Sequence, residues 1–350
     1  DLYVGGSITN IGGSGADNIA PWDGTAWNVV GSATAINSTV DSMAFNAAGD
    51  LYIGGAFINA GGDANADALA QWNGTAWSAV GATPINNSVN AIAIGLDGAT
   101  LYIGGVFTNA GGVANADGIA KWDGIAWSAL GTPPASVDVR ALAFDRAGFL
   151  YAGGGFTTIG GVAVNYVARW NGSGWGALGT GVNVAVEEVR PLADGTVAVV
   201  GDFTIAGGIT LPDRMAIWNG SAWVAVDVDL PGTSSVNAAV QVPNSGVIYV
   251  GYRATGTATA AGVTVAINGG TARTYPVITI TGPSSGTGRV FRISNSTTGK
   301  LLYLNLTMSA GEIVTITTSN NGTHVTSNFR GDISSVVLPG SAPDFALARG

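Results

Sequence analysis

The stretch LYIGGAFINAGGDANADALAQWNGTAWSAV, residues 51–80, decides the fold, because its two halves recur along the chain. Its opening LYIGG returns as LYVGG at 2–6, LYIGG at 101–105, LYAGG at 150–154, VAVVG at 197–201 and IYVGY at 248–252, at spacings of 47 to 51 residues. Its second half carries Trp-Asn-Gly-x-x-Trp at 72–77. The same marker, with Asp or Asn in second place, stands at 22–27, 122–127, 170–175 and 218–223. These five pairs account for all ten tryptophans of the chain. Ile267-Asn268-Gly269 reads as a sixth, decayed copy.

Each period divides into four short pieces. VDSMAF (40–45) alternates apolar and polar, NAAGD (46–50) turns, and LYIGGAF (51–57) forms the next strand. The loop INAGGDANAD (58–67) leads to ALAQW (68–72), the turn Asn73-Gly74 and AWSAV (76–80). Four short strands per period with Gly-rich turns describe a β-propeller blade. A helical solenoid would need a 3.6-residue apolar stripe, and none is present. The pattern predicts positive φ and close blade approach at the paired glycines of the second strand, and a type I′ turn at each Asp/Asn-Gly. Uniform spacing of the Trp pairs assigns them to packing within and between blades.

The second strand occurs six times and the first only five times, near 40, 89, 139, 189 and 236. The expectation is six blades, with an inner strand contributed by sequence upstream of Asp1. The alternative is five blades, closed by pairing the strand near 236 with residues 2–30 and leaving 248–270 as a connector. The propeller spans 1–270. After Gly270 the composition shifts to Thr, Ser, Ile and Val, and YPVITITGP, RVFRISN, KLLYLNLTM, EIVTITT and THVTSNF alternate along 275–329. Residues 271–350 therefore read as a small antiparallel β-sandwich. The fold class is all-β throughout.

Composition narrows the function. The chain of 350 residues is 47% apolar and only 10% charged, with a net charge of -9. All nine acids of residues 1–120 are Asp, and that segment contains no Lys or Arg. Nucleic acid and anionic membranes are excluded as partners, since both demand clustered cations. No uncharged apolar run reaches the length of a membrane span, so no membrane insertion is expected. Cys is absent and His324 is the single histidine, which removes thiolate metal sites, copper–thioether radical chemistry and cysteine nucleophiles. A Ser-His-Asp triad would have to recruit His324 from a strand-like ThrHisVal. Glu187 and Glu188 are the two glutamates of the propeller available for glycoside hydrolysis. The expectation is a non-enzyme.

One constellation recurs. Five residues before the first Trp of each pair stands Asp17, Asp67, Asp117, Asn165 or Asp213, at the end of the loop joining strands two and three. Such side chains brace their own loop as Asx-turns. The sharper reading makes them, with Asp63, Asn65 and Asn115, a ring of oxygen ligands for sugar hydroxyls or Ca²⁺; no other cofactor is expected. The loops two-to-three and four-to-one are long and share one face of a blade array, so that face is expected to meet an outside partner.

The blade motifs resemble the kelch-type propeller repeat. Gly54-Gly55, Trp72 and Trp77, and again Gly104-Gly105, Trp122 and Trp127, stand in the order of that family, with a shorter turn between the aromatics. Residues 276–283 (PVITITGP), 293–316 (ISNSTTGKLLYLNLTMSAGEIVTI) and 330–341 (RGDISSVVLPGS) resemble the C-terminal β-sandwich of distal-tail proteins of long-tailed bacteriophages. In that family the chain continues beyond the equivalent of FALARG (345–350), so the sequence reads as cut at both ends. The resemblance implies a structural protein of the virion tail tip or baseplate. Its partners would be other phage tail proteins and further copies in a symmetric ring, and its propeller would be displayed toward a host-surface glycan. Arg330-Gly331-Asp332 reads as a turn with flanking charges. The alternative is a secreted bacterial glycan-binding adhesin, with a glycoside-active enzyme third.

Overall fold

The structure, a computed structural model, describes residues 2–31, 35–134, 136, 138–211 and 213–226, and beyond these the strands between Ser235 and Asp332. The chain divides into two compact units, Asp1–Arg253 and Ala254–Gly350.

The first unit is a succession of blades, as the repeat predicts. Blade 2 pairs Val40–Phe45, Leu51–Gly55, Leu69–Trp72 and Trp77–Ala79 in sequence order as an antiparallel four-stranded sheet. Blade 3 begins at Val89–Ile94, blade 4 at Val139–Phe144 and blade 5 at Val186–Pro191, each with the same order. Blade 1 contributes Leu2–Gly5 paired with Ile19–Trp22, extended by a bridge from Trp22 to Trp27. Blade 6 contributes Ser235–Gln241 paired with Ile248–Arg253. That pairing corrects the five-blade alternative: the strand near 236 takes its partner from 248–253, not from residues 2–30. The inner strands of blades 2 to 6 pack successively on one another.

Why the second strand ends in paired glycines is now visible, and the reason differs from the expected positive φ. Gly54 and Gly55 are in ordinary extended backbone. A Cβ on Gly54 would lie 2.6 Å from Cγ1 of Val89 in the next blade, and one on Gly55 would lie 2.0 Å from the Thr39 carbonyl oxygen. Close approach alone selects glycine. The first glycine receives the neighbouring blade's valine and the second accommodates a β-bulge. That bulge falls after Val40, Val89, Val139, Val186 and Val236, at the same place in five inner strands.

The Asp/Asn-Gly turn also departs from expectation. Only the glycine of each turn has positive φ, Gly74 at +93°, whereas a type I′ turn needs it at both central positions. The turn is instead a four-residue loop closed by its first side chain: Asn73 Oδ1 accepts from the N–H groups of Thr75 and Ala76 and from the Thr75 hydroxyl at 2.8–2.9 Å.

Packing between blades is apolar. Phe57, Phe107, Phe156 and Phe203, two residues after Gly55, Gly105, Gly154 and Gly201, are fully buried, each contributing about 2–3 kcal/mol. The second Trp of each pair, at 77, 127, 175 and 223, is buried against its own blade's long loop, and the two indoles of a pair sit 5.3–5.4 Å apart. Trp77, Trp175 and Trp223 each donate their indole N–H to a carbonyl of the preceding blade: Val30, Leu130 and Leu178.

The second unit begins earlier than the composition shift suggests. Thr264–Ile267, assigned from sequence to a sixth repeat, pairs instead with Val277–Thr281. The boundary is therefore at Arg253/Ala254 rather than after Gly270, and Asn268-Gly269 lies outside the described residues. The unit comprises a five-stranded antiparallel sheet and a hairpin of Thr287–Ser294 with Leu301–Ser309. His324 occupies an ordinary ladder position opposite Thr317. Gly331–Asp332 extends the sheet edge, while Arg330, 333–341 and FALARG lie outside the described residues.

Candidate functional site

The bulge in each inner strand has a consequence for chemistry. An extra residue breaks strict alternation and re-aims one side chain. The residue so placed is Asp41, Asn90, Arg140, Glu187 or Asn237, and all five line a single cavity of about 410 Å³. Each follows a buried valine that is the same in blades 2 to 6 and that packs, in blades 2 to 5, on a glycine of the preceding blade. The frame is thus fixed by packing while the residue beside it changes from carboxylate to amide to guanidinium. Glu188 and Arg190 complete the charged lining.

These groups are held in place by bonds that cross from blade to blade. Arg140 Nε and Nη2 donate to the Asp138 carboxylate at 2.8–3.1 Å, and its Nη1 donates to Glu187 Oε1 of the next blade. The Asp138 hydrogen bonds, with the nearby Glu187 charge, hold the Arg140 guanidinium above its ordinary pKa despite partial burial. Arg190 donates to Glu188 Oε1 at 2.6 Å and to the Ala239 carbonyl at 3.2 Å, and Glu188 Oε2 accepts from Ala239 N–H at 2.7 Å. Asn90 Nδ2 donates to the Val139 carbonyl, and Ser42 Oγ accepts from Ile92 N–H. Asp41 has its pKa raised by desolvation, opposed by a hydrogen bond with Thr39. Among the described residues it has no ion pair. Such a lining is equipped to accept and donate hydrogen bonds to a small polar ligand.

The residues singled out from sequence are placed differently. Asp17, Asp67 and Asp117 each accept, through Oδ1, from the N–H of Asn10, Asn59 or Asn109 at 2.6–2.8 Å. Those three asparagines have φ of 48–51°, so the carboxylate braces the left-handed start of an Ile-Gly-Gly or Ala-Gly-Gly turn. Asp63 accepts from Asn65 N–H and from Ala79 N–H, tying the loop to strand four and lowering its pKa. Asn115 sits at φ 66°. Asn165, also left-handed, donates Nδ2 to the Thr180 carbonyl and borders a second cavity of about 420 Å³ beside Tyr166, Asn183 and Ile205. Asp213 is buried. The column is distributed one residue per blade. Among the described residues no group of three His, Cys, Asp or Glu converges to hold a metal ion. Sequence reasoning missed the inner-strand cavity, although Val followed by a changing polar residue recurs at 40–41, 89–90, 139–140, 186–187 and 236–237.

No family model matches the chain, and no curated protein matches it. Solved structures with related geometry include the extracellular domain of a protein of B. thetaiotaomicron described as a hybrid two-component system. It is 12% identical with a TM-score of 0.40, over 82% of this chain and 31% of that one. PorZ, a surface component of the type-IX secretion system of Porphyromonas gingivalis, is 13% identical with a TM-score of 0.40, over 95% of this chain and 49% of its own. The chain spans about a third of the first protein and about half of the second.

Proposed function

We propose that this chain is an extracellular binding protein that takes a hydroxyl-rich ligand of the saccharide class in the inner-strand cavity of its blade array. The observation that carries the reading is the single bulge position that delivers Asp41, Asn90, Arg140, Glu187 and Asn237 to one cavity. Five polar side chains of four kinds on a constant packing frame provide donors and acceptors at fixed positions, which is what recognition of several hydroxyls requires. Glu187 and Glu188 are engaged by Arg140 and Arg190, so they serve as acceptors in a binding site rather than as a hydrolytic pair. The scarcity of Lys and Arg and the abundance of Asn, Thr and Ser fit display outside the cell. A panel of cell-surface oligosaccharides screened by thermal shift against the full chain tests this. At least one member should raise the melting temperature in a saturable manner, and a flat response across the panel would refute it.

A second reading is favoured by the stretches at 276–283 and 293–316, which resemble the tail-protein sandwich and include the strands Val277–Thr281 and Leu301–Ser309. In it the second unit attaches the chain to a phage tail, in company with other tail proteins and further copies, and the blades are displayed toward the host. Immunogold electron microscopy separates the two settings: label on a tail tip supports the virion, label on a bacterial surface the adhesin.

A further inference from the structure

We infer that the sugar taken by the inner-strand cavity carries an amine, its ammonium group seated on Asp41; this rests on the saccharide reading above. The charged residues lining the cavity are three carboxylates, Asp41, Glu187 and Glu188, and two guanidinium groups, Arg140 and Arg190. Both guanidinium groups are committed: Arg140 lies between Asp138 and Glu187, and Arg190 is held by Glu188. Asp138 adds a further negative charge directly behind Arg140. Asp41 remains, with no ion pair among the described residues. Residues 1–120, which include blades 1 and 2 and the inner strand of blade 3, contain no Lys or Arg.

A neutral sugar entering this cavity would leave the Asp41 carboxylate, an exposed side chain on the cavity wall, without a counter-charge. A uronic acid would bring a further negative charge to a site whose cations are already engaged. A protonated amine gains a charge-assisted hydrogen bond from the group that now lacks a cation. Asn237 and the Oδ1 of Asn90, whose Nδ2 is engaged by the Val139 carbonyl, line the same cavity and serve hydroxyls, which both donate and accept. The preference therefore runs amine, then neutral, then acid.

Calorimetric titration of the full chain at slightly acidic pH, with a glucosamine disaccharide, cellobiose and a glucuronate-containing disaccharide, reads this order directly. The amine is expected to bind about tenfold more tightly than cellobiose, the ratio conferred by one charge-assisted contact, and the uronate most weakly. Asp41→Asn should abolish the preference of amine over neutral sugar and Asp41→Glu should retain it, and unchanged urea midpoints of both variants exclude a folding defect. Equal affinity for amine and neutral sugar, or a preference that survives Asp41→Asn, overturns the inference while leaving the saccharide reading standing. Absence of binding by all three overturns the inference, and the flat panel described above would remove the reading beneath it.

Discussion

Replacing Gly111 by Ala tests how the long loop is locked to its blade. Gly111 has φ +60°, and a Cβ there would stand 2.1 Å from Cδ1 and 2.6 Å from Cγ of Trp127. Its neighbour Gly112 has φ +79°, with nothing within 4 Å of its Cβ position. Both substitutions force a side chain into the left-handed region, at about 1–2 kcal/mol. Both recover about 0.4–1 kcal/mol from a stiffer unfolded chain. Gly112→Ala should therefore cost about 1 kcal/mol. Gly111→Ala adds a collision with an indole that cannot withdraw freely, since Trp127 is 7% exposed and its ring is packed 5.4 Å from that of Trp122. Overpacking of this kind costs about 1–3 kcal/mol. The gap between the two variants should be about 2 kcal/mol. With a urea slope of about 3 kcal/mol/M, that separates their midpoints by about 0.7 M. Coincident midpoints, or a larger loss at Gly112, would refute the packing argument.

Three further outcomes follow from comparing equivalent positions in different blades. Trp127 Nε1 is buried without a partner, whereas Trp175 Nε1 donates to the Leu130 carbonyl at 2.7 Å. Trp175→Phe should thus destabilise by about 1–2 kcal/mol more than Trp127→Phe in urea unfolding, because it alone orphans a buried carbonyl. Ile125 is 87% exposed at a turn where Thr25 and Thr75 donate their hydroxyls to the Asp23 and Asn73 side chains. Ile125→Thr should raise stability by about 0.5 kcal/mol, read as a higher melting temperature. The Thr25 hydroxyl and the backbone N–H of Ala126 lower the pKa values of Asp23 and Asp123, respectively, in those turns. A depressed folded pKa contributes stability above the ordinary carboxylate value of about 4, lost as pH falls through the folded value. Asp23→Asn with Asp123→Asn, the residue found at 73, 171 and 219, should flatten the loss of melting temperature below pH about 4. It should leave the neutral value nearly unchanged.

The blades were legible because their determinants are local. LYIGG and the Trp pairs repeat at a fixed period, and each blade's ladder joins strands adjacent in sequence. What the period concealed was the bulge. VDSMAF reads as simple alternation, and only the pairing of Val40 with Gly55 and of Ser42 with Gly54 shows that Asp41 is an extra residue. The cavity was therefore missed although its five polar residues stand at one repeat position. The acidic column was legible as a loop brace, and three of its carboxylates, Asp17, Asp67 and Asp117, accept from backbone N–H groups in that way. The placing of Ile267 in a sixth repeat failed for a physical reason. Its partner Ile278 is supplied by the second unit, and long-range pairing leaves no mark on a local period.

The central claim is that ligand is held by the bulge residues of the inner strands rather than by the long loops. The direct measurement is the affinity of one panel-identified sugar for the full chain and for three variants, Asn90→Ala, Asn237→Ala and Asn65→Ala. Asn90 and Asn237 line the cavity, whereas Asn65 lies on the loop between strands two and three. Each cavity variant should weaken binding about tenfold, as loss of a hydrogen bond to ligand does, while Asn65→Ala leaves it unchanged. Undiminished affinity in both cavity variants with loss in Asn65→Ala would contradict the account and return the site to the loops.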